Sequence, residues 1–80
     1  MNKILIDTNV MIYALDNHSK YFRQANNILE DDNNTNYTTS KNISEFFAVA
    51  SKLKFDSQTV KTFYSELKQN FIILVLPLIV

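Results

Sequence analysis

Apolar and polar positions come in blocks along this chain, and the blocks predict seven elements. Ile4-Leu5-Ile6 is a short apolar run that, with Lys3, reads as a buried strand over residues 3–6. Asp7-Thr8-Asn9 interrupts it. The apolar run Val10 to Leu15 follows as a helix over residues 10–15, with Thr8 or Asn9 as its N-cap. Asp16-Asn17-His18-Ser19 is a polar turn, and Ser19 is placed to cap a second helix over residues 20–30. Phe22, Ala25, Ile28 and Leu29 fall at helical spacing there. Asp, Asn and Thr fill residues 31–36, which read as a loop.

Tyr37-Thr38-Thr39 reads as a short second strand. A third helix over residues 41–53 carries Ile43, Phe46, Phe47, Ala50 and Leu53 on one stripe. Lys54-Phe55-Asp56 turns the chain, and Asp56 or Ser57 caps a fourth helix with Val60, Phe63, Tyr64 and Leu67 at i, i+3, i+4 and i+7. Residues 71–76 are continuously apolar, the pattern of a strand covered on both faces.

The order is β-α-α-β-α-α-β, which predicts an α/β fold with a parallel sheet flanked by helices. Right-handed crossovers bring the ends of parallel strands to one shared side. Asp7, after the first strand, and the start of the third helix, after the second, therefore share that side. Ligands of open α/β sheets bind at that edge.

Composition narrows the class. Eighty residues make one small domain, and 46% hydrophobic content rules out compositional disorder. Eight basic and eight acidic residues cancel, so the chain lacks the electrostatic footprint of a dedicated nucleic-acid binder. The absence of cysteine excludes a disulfide framework and thiolate metal sites and fits a reducing cytosol. The absence of glycine excludes a glycine-rich phosphate loop. The apolar stretch 71–80 is about half a membrane span. Its position at the end of the chain suggests the amino-terminal part of a longer domain, because an exposed apolar end invites aggregation.

Asp7 and Glu45 are the candidates for chemistry, and each has a plainer role open to it. Asp-Thr-Asn is good helix-starting chemistry, so Asp7 serves equally as a cap. Asn42-x-x-Glu45 has the spacing of a capping box, and Glu45 lies opposite the apolar stripe, where it can simply face water. Asp16, Asp31, Asp32 and Asp56 read as turn or cap residues, and His18 as a surface residue. Ser40 and Thr39 read first as caps of the third helix. Lys41, Lys52 and Lys54 read as a solvated face.

Taken together, the stretch Ile4-Leu5-Ile6-Asp7-Thr8-Asn9-Val10-Met11-Ile12-Tyr13-Ala14-Leu15-Asp16 resembles the amino-terminal signature of PIN-domain nucleases, and among them the VapC-type toxins of toxin–antitoxin pairs. Tyr37-Thr38-Thr39-Ser40 with Asn42-Ile43-Ser44-Glu45-Phe46-Phe47 resembles the family's second motif. The resemblance implies a cytoplasmic endoribonuclease dependent on magnesium or manganese, with a cognate antitoxin and a homodimer as protein partners and no membrane association. It makes Asp7 the lead metal ligand and Glu45 the second, with Asn9, Thr8 and Ser40 in support.

The family carries further acidic residues and strands later in its domain. Residues 71–80 hold no Asp or Glu, and Glu66 falls too early to match. The resemblance thus implies an incomplete PIN-like domain over residues 1–80, inactive or weakly active, or else a non-catalytic remnant that binds an antitoxin or a second protomer. A core this small supplies only about 3–5 kcal/mol, so weak folding or self-association is expected.

Overall fold

The structure is a computed structural model and describes residues 1–75. It contains β1 (Asn2–Leu5), α1 (Thr8–Leu15), α2 (Phe22–Glu30), β2 (Asn34–Thr39), α3 (Ser40–Lys52), α4 (Ser57–Asn70) and β3 (Ile72–Leu74). The order is the β-α-α-β-α-α-β of the sequence pattern. The three strands form one sheet in the order β1-β2-β3, and both pairings are parallel. No helix among the described residues is long and apolar enough to cross a membrane.

β2 is the central strand and starts earlier than its polar composition suggests. Residues 34–36, read as loop, pair in register with β1: Asn34 with Asn2 and Asn36 with Ile4. The asparagines tolerate this because their side chains find backbone partners. Asn34 Nδ2 donates to the Ile28 carbonyl at 3.0 Å, and Asn36 Nδ2 to the Leu29 carbonyl at 3.3 Å. Tertiary pairing overrides weak strand propensity here.

Among the described residues β3 is an edge strand with one open face rather than a strand covered on both faces, since it pairs with β2 on one side and leaves Ile72 and Leu74 exposed. The end of that expected strand, at Leu76, lies outside the described residues. α2 starts at Phe22, and Ser19 does not cap it: the Ser19 hydroxyl accepts from Tyr21 N in the preceding turn.

The core gathers Ile6, Met11, Ile12, Phe46, Ala50, Val60 and Leu67 from β1's end, α1, α3 and α4. Phe46 is fully buried and sits 5.3 Å, centroid to centroid, from Phe63 of α4. Phe47 meets Tyr64 edge-on at 5.0 Å, so two aromatic pairs fasten α3 to α4. Leu53, expected on the α3 stripe, is instead the exposed C-cap.

The turn after α3 has the bonds of a Schellman motif: Phe55 N donates to Ala50 O and Lys54 N to Ser51 O, each at 3.1 Å. That motif needs a left-handed residue, and Lys54 occupies it at φ 61° because the chain has no glycine to offer. At the other end of the helix pair, Asp56 caps α4 by accepting from Thr59 N.

Candidate active site at the carboxyl end of the sheet

Asp7 lies one residue beyond β1, after Ile6, and caps the start of α1. Its side chain accepts from Val10 N at 3.2 Å, so Asp7 itself is the N-cap, one residue ahead of Thr8 and two ahead of Asn9. Capping and ligation are not exclusive here. The cap uses Oδ1, the residue is exposed, and among the described residues Oδ2 has no hydrogen-bond partner.

The turn is held in place from below. Ile6 N donates to the Tyr37 carbonyl at 2.7 Å, extending the β1–β2 pairing. The fully buried Thr38 hydroxyl donates to the Ile6 carbonyl at 2.9 Å. Two bonds from β2 therefore fix the residue that immediately precedes Asp7.

α3 starts right after β2 on the same side. Its N-cap is Thr39, whose hydroxyl accepts from Asn42 N at 3.0 Å. This removes the capping-box reading of Asn42 and Glu45: with Thr39 at the cap, Asn42 is the N3 residue and Glu45 lies a turn further on. Glu45 is released from a helix-end role and is exposed.

Thr8 joins the two elements. Its Oγ1 lies 3.1 Å from the Asn42 carbonyl, 3.3 Å from Asn42 Oδ1 and 3.3 Å from Glu45 Oε2. A hydroxyl has one proton, so it serves these oxygens one at a time. The cluster is rich in oxygen acceptors and short of donors.

Thr8 and Glu45, 37 positions apart, are thus in direct contact. Asn9 lies exposed in the first turn of α1, and Ser40 is the half-buried first residue of α3. Neither side chain bonds to Glu45 among the described contacts. Asn42 was not expected to take part. Its i, i+3 spacing to Glu45 was the available signal, and that spacing reads equally as a helix cap.

The donor set suits a hard cation. Carboxylate, hydroxyl and amide oxygens are the ligands that magnesium and manganese take, and magnesium is commonly held by one or two carboxylates with waters and substrate phosphate completing the shell. Asp7 and Glu45 fit that pattern as a partial set. Among the described residues, no group of three or more His, Cys, Asp or Glu is placed to hold a metal ion.

A family model of the PIN domain matches residues 4–78. The chain belongs to the PIN-domain family, a nuclease-type fold whose members generally depend on divalent metals. No curated protein and no solved structure gives a significant match.

Proposed function

We propose that this chain is a divalent-metal-dependent endoribonuclease of the VapC toxin kind, acting in the cytoplasm and restrained by a cognate antitoxin. The observation that supports it most is the Thr8 contact with Glu45, since it carries the Asp7-Thr8-Asn9 turn to the second acidic residue of the motif. In this reading Asp7 and Glu45 hold Mg2+ or Mn2+. Thr8 orients the Glu45 carboxylate, Asn9 presents its amide to the substrate, and Ser40 backs the site from the start of α3. When bound, the metal supplies an acidified water and countercharge for the scissile phosphate. The eighty residues contribute two carboxylates, so metal is held weakly and cleavage is slow or nil.

A second reading draws on the same count. With no group of three acidic or imidazole ligands among the described residues, a non-catalytic partner that binds antitoxin or a second protomer accounts for the chain as well.

Manganese titration by calorimetry separates the two. Asn caps helices about as well as Asp, so Asp7→Asn removes charge while the fold is retained. The nuclease reading expects saturable binding in the parent chain, weakened about tenfold or more in Asp7→Asn. Equal, weak binding in both chains overturns the metal site and leaves the interaction reading.

A further inference from the structure

A second concavity lies at the amino end of the same sheet, between α2, β2 and α4, with a volume of about 420 Å³. Glu30, Asp31, Asp32 and Glu66 line it, and no Lys, Arg or His does. Four asparagines line it as well, with apolar side chains between them. Each gives its Nδ2 to backbone: Asn26 to Ala14 O and Phe22 O, Asn34 to Ile28 O, Asn36 to Leu29 O, and Asn70 to Glu66 O. A carbonyl can only accept, so these partners fix which end of each amide is nitrogen. Each amide thus spends at least one donor on backbone; Asn34 Oδ1 accepts from Asn2 Nδ2 at 3.3 Å, and the Oδ1 atoms of Asn26, Asn36 and Asn70 are left as acceptors among the described contacts.

Asn36 shows the consequence. It is 5% exposed and lines the pocket, and its Oδ1 is a buried atom with no hydrogen-bond partner. Leaving a buried acceptor unpaired is costly, and a donor that reaches it relieves that cost. The backbone adds to the negative field. α2 ends at Glu30 with no basic residue in its last turn, and α4 ends at Asn70, so two helix C-termini lie at the pocket. The one basic residue in the last turn of α4, Lys68, stands 4.8 Å over the Tyr64 ring and does not line the pocket.

We propose that this pocket binds an organic cation through a guanidinium group. A bare metal ion fits poorly, because no group of metal-holding side chains is gathered among the described residues and Leu29, Phe63 and Phe71 form part of the wall. A guanidinium brings five N–H donors in a planar fork to carboxylate and amide oxygens, and its weakly hydrated faces stack on aromatic rings. An ammonium is more strongly hydrated and carries fewer donors. The site is separate from the carboxyl-end site by the length of the strands and does not depend on the ribonuclease reading.

The test is a titration of the isotope-labelled chain with agmatine and, separately, with N-acetyl-arginine methylamide, followed by the side-chain amide resonances of Asn36 and Asn70. Saturable shifts are expected. Binding of agmatine alone identifies a free small molecule as the source, and comparable binding of the blocked residue identifies an arginine side chain of a partner. Glu66→Lys and Asp32→Lys, both at exposed positions, are expected to weaken binding about tenfold each. Glu45→Gln, at the other end of the sheet, is expected to leave it unchanged. The proposal is overturned by the absence of saturable shifts with either guanidinium compound, by butylamine binding as tightly as agmatine, by magnesium shifting the same amides, or by unchanged binding in both lysine variants.

Discussion

The two ends of one small sheet carry acidic side chains in opposite electrostatic settings. At the carboxyl end, Asp7 caps α1, so that helix N-terminus offsets its charge, and Glu45 lies beyond the first turn of α3, away from any helix C-terminus. At the amino end, Glu30 and Asn70 close α2 and α4, where the backbone's partial charge is negative and adds to that of the carboxylates. The first arrangement can accept a metal and still tolerate a phosphate beside it. The second attracts a cation and repels a phosphate. Acidic residues can thus serve different ligands, according to which end of a helix they occupy.

The largest expected effect removes both ends at once. Phe46 is fully buried where α3 meets α4, and Phe46→Ala is expected to cost about 3–5 kcal/mol. That is comparable with the whole stability of so small a core, so circular dichroism should show an unfolded chain. A folded variant would mean that the two ends do not share one core.

Thr38→Val acts on one end. It deletes the buried bond to the Ile6 carbonyl and is expected to cost about 1–2 kcal/mol by urea denaturation. Amide exchange should quicken in the turn through Asp7 while the Asn36 side-chain resonances hold still. Equal loosening at both ends would break the comparison.

Asp7 separates cap from charge. Asp7→Ala is expected to lose about 1 kcal/mol of stability, and Asp7→Asn only a few tenths. Manganese affinity should fall in both. Matching stabilities for the two variants would show that the cap bond contributes nothing.

The smallest effect is a gain. Lys54→Gly relieves the left-handed strain of a residue with a Cβ and should add up to about 1 kcal/mol, leaving both ends untouched.

Much of this was legible in the chain. The apolar run before Asp7, the polar break at Asp7-Thr8-Asn9 and the i, i+3, i+4, i+7 stripe from Val60 to Leu67 each place an element near where it lies. Helix ends were harder to read, because Asp7, Thr8 and Asn9 are all good caps and only backbone geometry chooses among them. The early start of β2 was hidden, since Asn34 and Asn36 look like loop residues until α2 supplies carbonyls for their amides. Burial of β3 was overestimated because a continuous apolar run does not show how many neighbours a strand has.

For the candidate site, the sequence by itself determined which side chains are on offer: a carboxylate at the end of a strand, a second on a later helix, and no thiolate in a chain without cysteine. Only the tertiary structure decided the geometry. Parallel pairing of β1 with β2 brings Thr8 to Asn42 and Glu45 across more than thirty residues, and moving the cap of α3 to Thr39 frees Glu45 from the helix end. The physical reason is that periodicity reports which face of an element is buried, whereas contact between distant side chains depends on register, which is fixed only when the strands pair.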